Sequence, residues 1–270
     1  LGYRPKSATS PTAYVSFTVT YTNPTTDKEL SLKAGTGFIS TFDNVIYSYV
    51  VTSNVKAQVI NDVATFSNVP IREGTFLNNE FVVDNGSKSQ RFILDNPNID
   101  TNTISVTVYP GGGSFNEPYL VADNILDVDG DSKVFFVEET EDQRYEILIG
   151  DGVLGKKLEN NTRIDVSYLT TQGPVSNGVR AFVFSGVLEN ENGVTPNSFT
   201  TSIVSTVASA GGEEIESTQK IKYTAPKAYG TQERAVTAQD YEAIVRQVYP
   251  ATSDIIIFGG EDQEPPEYGK

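Results

Sequence analysis

Four groups of residues in this 270-residue chain have the types and spacing to do chemistry. Asp127, Asp129, Asp131 and Glu138 stand at relative positions 1, 3, 5 and 12, which are ligand positions of a calcium-binding helix-loop-helix hand. That loop needs glycine at position 6, where Ser132 stands, and its flanks here read as strands. A tight turn of solvated carboxylates is the plainer reading. Gly150-Asp151-Gly152-Val153-Leu154-Gly155, followed by Lys156-Lys157, has the glycines of a phosphate loop. It lacks the Gly-Lys-Ser/Thr ending and no helical pattern follows, so a glycine-shaped hairpin after a strand is the plainer reading. The 35 acids can supply a carboxylate pair for glycosidase-type acid-base chemistry. With so many acids, two near a cleft carry no information, and no Trp is present to stack on a sugar, although 14 Tyr can substitute. Finally, Ala238, Tyr241, Ile244, Val245 and Val248 recur at helical spacing, a stripe that is either core or an oligomer contact.

The missing residue types exclude more than the motifs suggest. The chain has no His, Cys, Met or Trp. Without Cys and His there is no disulfide frame, no thiol nucleophile, no Ser-His-Asp triad, and no thiolate- or histidine-ligated metal. The expectation is no catalytic residue, no metal and no cofactor. Twenty basic against 35 acidic side chains give a formal charge of −15. That field repels phosphate backbones and anionic lipid, so neither nucleic acid nor membrane is expected as a partner. No apolar run approaches the roughly 20 residues that span a bilayer. Leu1 to Lys6 do not form a signal peptide. The absence of Met reads as a fragment, or as modified residues missing from the sequence.

These groups must be positioned by short elements. Tyr14 to Tyr21 alternates apolar and polar residues with the period of a half-buried strand. Similar runs follow at Val45 to Val51, Val63 to Phe66, Phe81 to Val83, Phe92 to Leu94 and Ile104-Val106-Val108. Turn signals such as Asp43-Asn44, Asn85-Gly86 and Asn96-Pro97 separate them, a spacing that suggests a sandwich or small barrel. Gly111-Gly112-Gly113 reads as a joint between domains or as a hairpin loop. Beyond it, residues 111–150 hold ten acids and two bases, Lys133 and Arg144. Strand patterns continue at Val134 to Val137, Tyr145 to Ile149, Ile164 to Tyr168, Ala181 to Phe184 and Ser202 to Val207. The period then changes. Ser217 to Ala225 predicts a short helix ended by Pro226. Thr237-Ala238-Gln239-Asp240 predicts a capping-box start for a second helix, which Pro250 stops. Asp254 to Phe258 predicts a buried strand closed by Gly259-Gly260. The fold class expected is α+β, mainly β, multidomain, with short-stranded sandwich or barrel-like domains and a small helix-containing C-terminal module. Composition divides the chain into a leading segment and first strand at 1–22, a β domain at 23–110, an acidic β domain with the Gly-Asp-Gly hairpin at 111–190, and an α+β module at 191–270.

Several of these pieces together carry a resemblance. Gly211-Gly212, Glu216-Ser217, Ala225-Pro226, Tyr229, Arg234-Ala235-Val236-Thr237-Ala238 and Asp240-Tyr241 resemble the C-terminal signature of baseplate J-like proteins, wedge components of contractile phage tails. Tyr145 to Lys156, Val166 to Tyr168, Gly173 and Asn177-Gly178 are similar to that family too, except that Ile149 stands where an aromatic residue is expected. Gly2 to Ala8 and Val69 to Gly74 look closer still to the wedge proteins of T4-like phages. The chain begins and ends inside the family's pattern, so an N-terminal half and a final strand are expected outside it. The resemblance implies a structural role in the virion tail baseplate, assembled in the bacterial host cytoplasm late in infection. It implies wedges that self-associate, as a homodimer or in ring contacts, and bind other wedge subunits to close a ring around the hub. It further implies that this ring rearranges during contraction and genome ejection. No catalytic residue is carried over. A ring needs two contact patches per subunit, and Tyr229, Arg234, Tyr241, Ile244 and Val245 are the candidate partner-binding residues here. The rival reading is an extracellular β-rich adhesin or glycan- or calcium-binding module.

Overall fold

The computed structural model describes residues 5–86, 91–122, 128–140, 144–231, 237–248 and 255–258. The protein is mainly β, with two sheets and a small helical C-terminal part.

Period-two alternation becomes strand wherever a partner is available. In β1 (Thr12–Tyr21), Val15, Phe17 and Val19 point into a core and are fully buried. The chain then forms β2 (Glu29–Leu32), β3 (Gly37–Phe42), β4 (Val45–Val50), β5 (Val55–Ile60) and β6 (Val63–Glu73). Two-residue turns set these hairpins. Asp43-Asn44 and Asn61-Asp62 all have positive φ, the conformation that lets the turn twist match the strands. β6 is the axis of the sheet. One edge pairs with β1 along most of its length, and the other is shared between β5 at its start and β4 at its end. After the second sheet, β14 (Val183–Phe184), β15 (Glu189–Asn190) and β16 (Phe199–Ala210) return to pair with β3, β2 and β1. Phe17 sits at the centre, stacked on Phe66 at 4.9 Å and on Phe184 at 5.6 Å, with Phe38 edge-on at 5.5 Å. Truncating such a side chain costs about 3–5 kcal/mol.

Gly74 carries the chain from one sheet to the next. Its φ is +133°, and a Cβ there would meet the Thr170 carbonyl oxygen at 2.3 Å. The second sheet holds β7 (Thr75–Val82), β8 (Phe92–Leu94), β9 (Ile99–Tyr109), β10 (Glu117–Val121), β11 (Val134–Glu139), β12 (Tyr145–Ile149) and β13 (Arg163–Thr170). Their spatial order is β7-β13-β9-β10-β11-β12-β8, antiparallel except for the β10–β11 pair. The sheet curls until its end strands nearly close a barrel, with Phe81 of β7 and Phe92 of β8 5.5 Å apart. Val106, Val108, Phe135, Ile147, Ile164, Val166 and Tyr168 fill the interior. Gly111-Gly112-Gly113 lies in the turn between β9 and β10, whose pairing begins at Val108 and Glu117, so the hairpin alternative is the one observed. The sheets group the chain differently from the segments drawn by composition. The first holds 12–73 and 183–210, and the second holds 75–170. Non-local pairing decides membership of a sheet, and composition does not record it.

Residues 1–6 and 216–270 form a second compact unit. It contains α1 (Thr218–Thr231) and α2 (Ala238–Val248), which pack on each other. Two expectations are corrected here. Pro226 does not end α1; the backbone stays helical to Thr231. Proline removes one hydrogen bond and crowds the carbonyl four residues back, but its φ is compatible with the helix. Ile255 to Phe258 is not a buried strand. It has no sheet partner among the described residues, and Ile256 and Phe258 are 85% and 58% exposed. Ile255 and Ile257 are half-buried, but strand formation needs a hydrogen-bonded neighbour, and none is present among the described residues. Asp254 and the glycines after Phe258 lie outside the described residues.

Candidate functional site

The acidic turn and the glycine loop fold against each other. The Asp129 carboxylate accepts hydrogen bonds from the Ser132 hydroxyl at 2.6 Å and the Asp131 amide at 3.1 Å. These bonds, the Ser132 hydroxyl first, hold its pKa below the usual aspartate range. Asp127 lies outside the described residues, and Glu138 is exposed on β11. Among the described residues no group of three acids is arranged to hold a metal ion. In the glycine loop, Asp151 Oδ1 accepts the amides of Leu154 and Val153 at 2.9 and 2.8 Å, and these bonds lower its pKa. A phosphate cradle would need such amides free; here an aspartate of the loop itself uses them, as in a side-chain-capped turn. The Gly155 amide then donates to Asp129 O at 2.9 Å, and the Lys156 amide to Ser132 O at 2.8 Å. Both motifs therefore act as one braced pair of turns, one before β11 and the other after β12. Lys156 and Lys133 converge on Glu117, at 3.5 and 3.0 Å, which depresses that carboxylate's pKa.

The helical unit carries the predicted contact residues. The capping box is formed. The Thr237 amide donates to Asp240 Oδ2 at 2.8 Å, and the Asp240 amide to Thr237 Oγ1 at 3.3 Å. This fixes α2 with Tyr241 49% exposed and Ile244 and Val245 half-buried. Tyr229 lies on the described backbone of α1; Arg234 lies outside the described residues. A hollow of about 260 Å³ is lined by Ala238 and Glu242 of α2 and by Ile255 to Ile257. Tyr223, Tyr241, Ile256 and Phe258 all remain exposed in this unit. Such outward apolar side chains mark interaction surfaces when they gather.

Sequence reading missed two buried acids at the joint between the sheets. Asp100, fully buried at the start of β9, accepts the Ser10 amide at 2.9 Å and the Ser10 hydroxyl at 2.6 Å. Arg72 of β6 stands 3.4 Å from the same oxygen. Glu73, the last residue of β6, is 2% exposed. Its Oε2 accepts the Thr171 hydroxyl at 2.6 Å and the Gln172 amide at 3.1 Å. Burial raises the Glu73 pKa, and those two bonds pull it partly back. One signal was available for Glu73. Val69, Ile71 and Glu73 share the inward parity of β6, so the acid stands where an apolar residue is due.

Asp129 and Asp151 are held in turns, Asp100 and Glu73 at the joint between the sheets, and the helical unit exposes Tyr223, Tyr241, Ile256 and Phe258. Residues 237–270 match the family model of the baseplate structural protein gp6, C-terminal domain I. The chain is 23% identical over 264 residues to the baseplate wedge protein gp6 of Enterobacteria phage T4, covering 91% of this chain. It spans 39% of that relative's length. Both matches are to baseplate proteins of the gp6 type.

Proposed function

We propose that this chain is a structural part of a phage tail baseplate wedge, located in the virion tail, and that its helical unit makes contacts to a second copy and to other wedge subunits. The similarity over 91% of the chain to a baseplate wedge protein carries this reading. The exposed Tyr241, Ile256 and Phe258 support a contact there, because interfaces centre on aromatic and aliphatic anchors. In this reading Tyr229, Arg234, Tyr241, Ile244 and Val245 bind partners, wedges join into a ring, and the chain is not an enzyme. The charge of −15 keeps free copies apart, so self-association strengthens as salt screens it. Sedimentation of the 29.4 kDa chain tests this. The expected result is a mass above the monomer that rises with salt and falls in the Tyr241→Ala, Ile256→Ala double variant. A monomer at every concentration and salt, or an association the double variant leaves untouched, refutes the contact.

A further inference from the structure

A cavity of about 310 Å³ opens at the joint between the two sheets, inside the main β unit. Glu73 lines it, together with Thr171 and Gln172, which hold one of its oxygens. The rest of the wall includes Ser48, Asn96 and Asn98, and no Lys or Arg is among the lining residues. The neighbouring Arg72 is held by Asp100. Glu73 Oε1 receives no hydrogen bond from any described residue, and it is not among the sealed, partnerless polar atoms. A buried carboxylate without a cation is costly to keep, and a neutral glutamine would preserve both bonds to Oε2. The lining amides and hydroxyls are neutral groups suited to surround a charged head that has shed its water.

We propose that this cavity receives the guanidinium or ammonium head of an arginine or lysine side chain from a partner chain, with Glu73 as its counter-ion. The acidity of this chain favours a basic partner surface, and the cavity is large enough for such a head with part of its stem. The proposal stands apart from the helical-unit contact and does not need it.

N-acetyl-arginine amide is the probe, with the citrulline analogue as its neutral isostere. Amide NMR shifts of Gly74, Thr75 and Gln172 are followed during titration into the full chain. The expected result is a saturable shift at those amides for the arginine probe and none for citrulline. In Glu73→Gln the arginine probe binds about tenfold or more weaker, the size of a lost charge-assisted bond. Equal binding of citrulline overturns the proposal, and so does arginine binding that Glu73→Gln leaves unchanged. Shifts scattered over the acidic surface without saturation at Gln172 overturn it as well. The citrulline comparison stands even where the variant fails to fold.

Discussion

Replacing Gly74 by alanine tests the crossing between the sheets, and Gly111→Ala supplies the control. Both glycines have positive φ, +133° and +62°. They differ in what a Cβ would meet: the Thr170 carbonyl oxygen at 2.3 Å for Gly74, and nothing within 4 Å for Gly111. Real Cβ contacts stay beyond 3.0 Å, so at Gly74 the backbone must open by about 0.7 Å or more, against the pairing of Thr170 with Thr75 and Ile99. At Gly111 the cost is the left-handed conformation alone, about 1–2 kcal/mol. At Gly74 a backbone region nearly reserved for glycine adds about 1–3 kcal/mol, and the displaced carbonyl adds overpacking of a further ~1–3 kcal/mol. The alanine variant should therefore lose about 2–6 kcal/mol. In a chain of this size that lowers the melting temperature by roughly 4 °C at the low end and well over 10 °C at the high end. Urea unfolding followed by tyrosine fluorescence reads both variants against the parent. A Gly74→Ala midpoint equal to that of Gly111→Ala would show that the carbonyl contact contributes nothing and that the crossing yields freely.

Two further outcomes follow from local chemistry. Burial raises the folded-state pKa of Glu73, so its contribution to stability is fully present below the ordinary glutamate value and is lost as pH rises through the folded value. Glu73→Gln should then gain on the parent as pH rises from acid to neutral, and a urea-midpoint difference that ignores pH would contradict the burial argument. Thr237→Ala removes one half of the capping box on α2 and should cost about 1 kcal/mol of helix stability, read as lost ellipticity at 222 nm on warming; unchanged helicity would mean that packing on α1 alone holds the start of α2.

Local features were legible in the residues themselves. The alternation in Tyr14 to Tyr21 marked β1, and the positive-φ pair Asp43-Asn44 set the turn between β3 and β4. Thr237 and Asp240 announced their own cap. Each of these depends on neighbours a few positions away, so periodicity and turn chemistry are enough to read it. Other features required the folded chain. Glu73 was one acid among 35 until Thr171, 98 positions later, came to hold it beside an open cavity. Asp100 became a joint only when Ser10 reached it from 90 positions away. Pro226 stayed inside α1, and Ile255 to Phe258, strand-like by composition, joined neither sheet among the described residues. Sequence settles what short-range sterics and hydrogen bonding can decide; burial of a charge and the pairing of an edge depend on which distant segments meet, and that belongs to the tertiary fold.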